Sequence, residues 1–463
     1  MQVTLFPDYF LEELEKTEGF LSQPLKVLHE FMATSSGLQI LEMIKSDQRF
    51  HGELKKATRG SLVPLERPGR PRMQAEVIFV FLVARGFLSG IYGERSYSLL
   101  KENKALLKAL AIYGVSNFPG RSTIHENLSL LSTNTLNCIL EFQIQLVREE
   151  GLDDFRKVTI DSTSVAADSA PSNTARLISY YSQKIIDILS KEELPIKRLK
   201  GHCDKILSLT FEILNCGRFK RVKQRRKTLN RELLNRVDKV LNFLESKRID
   251  SLPPMSQNAL QPLYEGLNEM YFQVTKEFFP ENYDGEVQLR HSISDEEASF
   301  IKKGIKPAVF GYKFHMARSA QGFICGVVLN EKNPSDSKCF EGVVENVCIL
   351  TGQTPDELSL DSGYCSKKNK KWAENKGINK VSFSGGKGRL LLEDEEWENC
   401  KDLRNFRATS EGLFSIMKDS YDLRRFSVRG SQKIKKLLLE KSIAYNFERM
   451  VKVAMRNKKK KAA

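Results

Sequence analysis

Apolar and polar positions along the chain change period several times, and each change predicts a different kind of element. Up to about residue 150 the pattern is helical and poor in β-branched alternation. Leu11, Leu14 and the stretch 20–28 predict short amphipathic helices, followed by 40–44 and the longer apolar run 75–88. The first strand is Lys157-Val-Thr-Ile-Asp161, a short β-branched run ending in an acid. From about 173 to 272 the chain is helical again. There Leu229, Leu233, Val237, Val240 and Leu244 recur at spacings of 4, 4, 3 and 4, a single helix seam with Arg225, Arg226, Arg231 and Arg236 left for the outside. Alternation returns at 309–317 and 323–329, and Ser319-Ala-Gln-Gly322 between them makes the pair a hairpin. A helix at 340–350 is opened by Asn333-Pro-Ser-Asp336, with Asp336 as a helix-capping acid. The strand Glu357-Leu-Ser-Leu-Asp361 then ends in a second acid. A helix around Trp372, a strand at 380–384, and helices at 410–418 and 434–453 complete the order.

Two local signals in the N-terminal third bear on binding. In Arg67-Pro-Gly-Arg-Pro-Arg72 two prolines and a glycine prevent a helix, so the segment reads as a basic linker; such a stretch can also lie extended along a DNA groove. In Asn117-Phe-Pro-Gly-Arg-Ser-Thr-Ile-His-Glu-Asn127 a Pro-Gly turn precedes Ser122 or Thr123 as N-cap, and Glu126 completes a capping box from Thr123. A helix starting there presents Arg121, Ser122, His125 and Asn127 at the turn through which a recognition helix meets DNA. Ordinary capping explains the same residues. The pattern divides the chain into a helical DNA-binding region at 1–150, an α/β domain at 151–446 with a helical insertion over about 173–300, and a basic tail at 447–463.

Composition narrows the class. A 41% hydrophobic content with 27 Phe excludes a disordered chain, and 8 scattered Cys exclude a disulfide scaffold. No two cysteines have zinc-knuckle spacing, which fits a reducing compartment. Neither a signal-peptide pattern nor an apolar run of membrane-spanning length is found, so a cytoplasmic location is expected, associated with the nucleoid when DNA is bound. The net charge of +15 is concentrated: 217–248 holds 12 basic and 3 acidic residues, 449–463 holds 7 basic and none acidic, and the rest is close to neutral. Two basic blocks on a neutral body suit a polyanion. A solvated helix face and a lysine tail are the plainer reading of either block alone.

Strand, hairpin, helix, strand, helix, strand, helix is the order of a ribonuclease-H-like α/β layer, a mixed sheet with helices on both faces. Here a large helical insertion follows the first strand, and a helical N-terminal domain precedes it. In that order the first and fourth strands are neighbours about 5 Å apart, so Asp161 and Asp361 face each other. Adjacent carboxylates repel unless they share a cation. Two Asp with a third acid from a helix can hold a pair of divalent ions about 3.5–4 Å apart across a phosphodiester. Oxygen donors without a Cys or His cluster favour Mg²⁺, with Mn²⁺ able to substitute, over zinc.

The segments Ile160-Asp-Ser-Thr-Ser-Val165, Phe310-Gly-Tyr-Lys313, Asn333-Pro-Ser-Asp336, Leu360-Asp-Ser-Gly-Tyr364 and Arg407-Ala-Thr-Ser-Glu-Gly-Leu-Phe414 occur in the order seen in DDE transposases of bacterial insertion sequences. The chain resembles that family from about residue 153 to 446. The resemblance implies an enzyme that cleaves element ends and joins them to target DNA through an Asp-Asp-Glu triad, here Asp161, Asp361 and Glu411, as catalytic residues and metal ligands. The family signature around the Glu is Tyr, two residues, Arg, three residues, Glu, six residues, Lys. Arg407, Glu411 and Lys418 meet its last three terms on one helix face, and the Tyr position holds Arg404. Only 385–403 separate the last strand from the Glu helix, too short for the β-rich insertion that helps some relatives form a hairpin end.

The resemblance assigns phosphate contacts to Arg407 and Lys418; Arg404, at the Tyr position, can contact phosphate or lie on a base, and Arg121 on the capped turn with Arg225 and Arg226 on the basic helix are expected as further DNA contacts. The partners implied are terminal inverted repeats, target DNA and a second copy of the chain. Two readings stay open beside it: an inactive DNA-binding protein of the same fold, and a nuclease that cuts without joining. Among the other acids, 393–396 reads as a solvated acidic loop. His315, in an alternating strand, reads as a packed or surface histidine rather than a ligand.

Overall fold

The computed structural model describes residues 28, 31–58, 72–87, 94–192, 194–217, 222–246, 249, 251–283, 285, 290–302, 307–330 and 333–462. The helices expected around Leu11, Leu14 and 20–27, and residues 67–71 of the basic linker, lie outside the described residues. The chain divides into two compact units, Met1–Ala166 with Tyr312–Ala463, and Ala167–Gly311.

The first unit opens with α1 (Ser35–Thr58), α2 (Ala75–Phe87), α3 (Glu94–Glu102), α4 (Lys104–Ile112), α5 (Arg121–Ser129) and α6 (Thr133–Glu149). α2 is apolar on every side, and its residues from Val77 to Ala84 are all buried, as a helix at the centre of a core must be. The N-cap of α5 is Gly120, without a side-chain bond, and not Ser122 or Thr123. The Pro-Gly turn delivers the chain into helical geometry early, so the two hydroxyl residues lie inside the first turn. α6 is capped by Ser132, which accepts from the Thr135 amide at 3.1 Å. β1 (Lys157–Ala166) follows and runs five residues past Asp161. The extension finds partners: the Ala166 carbonyl accepts from the Phe426 amide at 2.9 Å, and Ala166 bridges Arg425.

The second unit is α7 (Thr174–Leu189), α8 (Lys197–Asn215), α9 (Lys223–Leu244), α10 (Pro254–Phe278) and the short strand β2 (Ser299–Ile301). The expected seam is real. Leu229, Leu233, Val237, Val240 and Leu244 are all buried with Ile178, Ile185, Ile206, Leu267 and Met270. β2 has too few residues to stand out as alternation; it pairs antiparallel with residues 309–311.

The chain returns to the first unit through β3 (Val309–Ser319), β4 (Ile324–Leu329), α11 (Asp336–Thr351), β5 (Glu357–Leu360), α12 (Lys367–Asn375), β6 (Lys380–Phe383), α13 (Gly385–Leu391), α14 (Asp394–Asn399), α15 (Lys401–Asp419) and α16 (Ser431–Ala462). β3 and β4 form the expected hairpin, with a register shift at Ala317/Arg318. The sheet runs β3-β1-β5-β6, with β4 on β3. β1 and β5 are parallel, pairing Val158 with Leu358 and Ile160 with Leu360, and β5 pairs in the same sense with β6. α13 and α14 replace the loop expected between β6 and the Glu helix, and the acids at 394–396 sit in the first turn of α14, where the helix dipole favours them. Glu396 is not simply solvated: its carboxylate meets Lys370 at 2.6 Å. α16 packs on α2, α6 and β4. Phe31, Phe79 and Phe447 form an aromatic triangle with centroids 5.2–6.0 Å apart, tying the N-terminal helices to the C-terminal one. Among the described residues no helix is long and apolar enough to cross a membrane.

Candidate active site

Successive side chains of a strand point to opposite faces, and this alternation builds the site. On β1, Thr159 and Asp161 share a face; on β5, so do Ser359 and the next residue out, Asp361. α15 lies across that face. The hydroxyls of Thr159 and Ser410 are 2.9 Å apart, and Ser359 donates to the Leu403 carbonyl at 2.5 Å. Leu403, Arg407, Ser410 and Phe414 recur every three or four residues, the spacing that keeps one helix stripe on the sheet. With Ile160 paired to Leu360, Asp161 and Asp361 come next in register. Asp361 follows the last residue of its strand, whereas Asp161 lies mid-strand because β1 continues.

Arg407 is the centre of this arrangement. Its Nη1 lies 3.6 Å from Asp161 Oδ2 and 3.8 Å from Asp361 Oδ1, and its Nη2 donates to Glu411 Oε1 at 2.8 Å. All three acids therefore lie within 3.8 Å of one guanidinium. Asp161 also accepts from the Ser162 amide at 2.7 Å, and Asp361 from the Ser384 hydroxyl at 3.1 Å. Side-chain exposure rises from 14% at Asp161 through 39% at Asp361 to 65% at Glu411, so the cluster is anchored in the sheet and open toward solvent. Three carboxylates lie against this one guanidinium.

The other expected contact residues are placed differently. Arg404 lies on the Trp397 indole with its guanidinium carbon 3.9 Å from the ring centroid, and it donates to the Trp397 carbonyl. Lys418 shares the stripe of Arg407 and Glu411 but is half-buried and lies two turns beyond Glu411, about 10 Å along the axis. Arg121 is exposed at the start of α5. In the second unit Arg225 is exposed at the start of α9. Its neighbours Arg226, Lys227 and Arg231 stand over Phe278 and Phe279 at 5.1–5.5 Å.

On the opposite face of the same sheet end is a buried polar cluster. Lys313, on β3, meets Asp336 Oδ1 at 2.9 Å as an ion pair, with side-chain exposures of 9% and 18%, and donates to the Pro334 carbonyl. Asp336 is the first residue of α11, whose N-cap is Ser335; it is a half-buried, paired acid rather than a cap. Burial pushes its carboxyl up, but the Lys313 ammonium, with His315 and the Ser162 hydroxyl, outweighs burial and holds it below the ordinary aspartate value. His315, fully buried, shares a 2.5 Å hydrogen bond between Nδ1 and the Tyr364 hydroxyl. Burial, with Asp336, Asp161 and Asp361 nearby, raises that phenol well above its ordinary value. Asn369 closes the cluster, donating to the Tyr364 carbonyl at 2.8 Å and the Ser337 carbonyl at 2.9 Å. The role of Asp336 was hidden because its partner is 23 residues away; the segments holding Lys313 and Asp336 were the available signal.

Residues 287–447 match the family model described as "Transposase DDE domain". The chain carries a transposase DDE domain. The matched stretch includes Asp361, Arg407 and Glu411; Asp161 lies before it and is brought in by the pairing of β1 with β5. No curated protein and no solved structure matches the chain.

DDE transposases use divalent metal ions, and the donor chemistry here fits them: hard carboxylate oxygens. Among the described residues no three Asp, Glu, His or Cys side chains are grouped to hold one ion. Arg407 is the cation that the three acids share.

Proposed function

We propose that the protein cleaves the ends of an insertion sequence and joins the freed 3′-hydroxyls to target DNA, with Asp161, Asp361 and Glu411 as catalytic residues and Mg²⁺ or Mn²⁺ as cofactor. The observation that carries this reading is the convergence of all three acids on Arg407 at 2.8–3.8 Å. Divalent ions held there would activate the attacking oxygen and stabilise the leaving one. Asp161, fixed by β1 pairing and by the Ser162 amide, would be the rigid ligand. Asp361 would be aimed by Ser384, and Glu411 would be the adjustable one. Arg407 reaches all three acids, so an incoming phosphate can take its guanidinium as a bidentate partner.

The basic α9 surface and Arg121 would hold the end sequence through phosphate contacts, with affinity falling steeply as salt rises. Joining two ends to one target calls for two copies of the chain on DNA, and this work belongs in the cytoplasm at the nucleoid. The test is a supercoiled plasmid carrying the element ends, incubated with purified protein and Mg²⁺. The reading requires 3′-hydroxyl ends and joined products that both disappear in Asp361→Asn. Cleavage without joined products would favour a nuclease that does not transfer strands.

A further inference from the structure

We propose that Asp336 is a positioning residue that helps set the spacing of Asp161 and Asp361 by holding Ser162, next after the first, and Gly363, two residues after the second. The inference rests on the transposase reading of those two acids.

On one side the Ser162 hydroxyl donates to the Asp336 carboxylate, and Ser162 directly follows Asp161. On the other side the carboxylate lies against the backbone of Gly363, two residues after Asp361: a Cβ built on Gly363 would come within 2.6 Å of Asp336 Oδ2. One carboxylate therefore touches the continuations of both strands from behind the site. It is itself immobilised. Lys313 holds it by an ion pair at 2.9 Å, and the first turn of α11 supplies a favourable dipole. The Lys313 amide donates to Asn333 Oδ1 at 2.6 Å, fixing the segment that leads into the helix. Asn369 joins the residue after Asp336 to Tyr364, and the Tyr364 amide donates to the Asp361 carbonyl at 3.0 Å. Groups behind metal ligands commonly set ligand geometry in this way, and losing one weakens metal affinity about 10- to 100-fold.

An ordinary buried ion pair would act on stability alone, so the test separates the two roles. Full-length wild type, Asp336→Asn, Gly363→Ala and the double variant Lys313→Met/Asp336→Leu are bound to a duplex of the element end and titrated with Mn²⁺. Free Mn²⁺ is followed by electron paramagnetic resonance. Thermal melting, end binding and the Mn²⁺ concentration for half-maximal cleavage are measured alongside.

Asp336→Asn and Gly363→Ala are expected to bind Mn²⁺ at least about tenfold more weakly, with cleavage midpoints displaced to match and end binding retained. The double variant, which refills the site with apolar groups, should recover its melting temperature but not its Mn²⁺ affinity. Wild-type Mn²⁺ affinity in Asp336→Asn, or its recovery in the double variant, overturns the proposal. Should Asp336→Asn fail to fold, Gly363→Ala and the double variant decide the matter by the same criteria. Asp161→Asn in parallel distinguishes the two failures: if it binds Mn²⁺ and cuts like wild type, the transposase reading of the site is at fault rather than the role of Asp336.

Discussion

The two faces of one sheet end carry ion clusters of opposite design. Behind the sheet, Lys313 and Asp336 are matched one to one, with side-chain exposures of 9% and 18%. In front, three carboxylates share Arg407, and exposure climbs to 65% at Glu411. A balanced pair taken out of water has no call on further charge; removing one partner strands the other. The front cluster, by contrast, stays in reach of solvent and of an incoming partner. On the proposed reading, the rear cluster is architecture and the front one carries the chemistry.

The sharpest way to break that contrast is Asp161→Asn. End cleavage should fall by about three orders of magnitude or more, the scale of losing one preorganised charged group, while gel-shift binding of the end stays near wild type. Cleavage at an unaltered rate would remove the front cluster from the reaction. Next in size is Lys313→Met, which leaves the half-buried Asp336 without its counter-ion. A loss of about 3 kcal/mol or more in denaturant unfolding is expected, and a loss below 1 kcal/mol would mean that water reaches the pair. Arg407→Ala should lower the cleavage rate and also cost some stability, because Asp161, with a side-chain exposure of 14%, loses its guanidinium; an unaltered rate would remove Arg407 from the reaction.

Acid sharpens the contrast further. The Asp336 carboxyl is held below its ordinary value of 3.8, so its contribution is complete above that value and is lost as pH falls through the lowered one. The stability gap between wild type and Asp336→Asn should persist from neutral pH to about pH 5 and close in stronger acid; a constant gap would show that the charge of Asp336 is irrelevant. The smallest effect is expected for Ser410→Ala, about 1 kcal/mol from one buried hydroxyl contact with Thr159, read as a small shift in the denaturant midpoint.

Much of this was legible in the sequence where the pattern is local and periodic. The α9 seam, the hairpin and the acids closing two short apolar runs all follow from spacing, and strand order then makes Asp161 and Asp361 neighbours. What escaped depends on distant partners. β1 continues to Ala166 because the segment at 425–426 meets it, and nothing in 162–166 announces that. α5 begins at Arg121 because a turn, rather than a hydroxyl, sets its start. Asp336 resembled a helix cap because capping is the commonest use of an acid there, whereas its pairing with a lysine on another strand is invisible to any window. Arg404 stacks on Trp397, a neighbour that only the turn between α14 and α15 brings under it.

The parallel register of β1 and β5 has a consequence for how the chain can change. The Ala167–Gly311 unit leaves and re-enters between strands whose own pairing fixes where the two aspartates meet. Helices could be lengthened, trimmed or exchanged within that unit while the register that brings the two aspartates level stays written in a ladder of backbone hydrogen bonds that the exchange never touches.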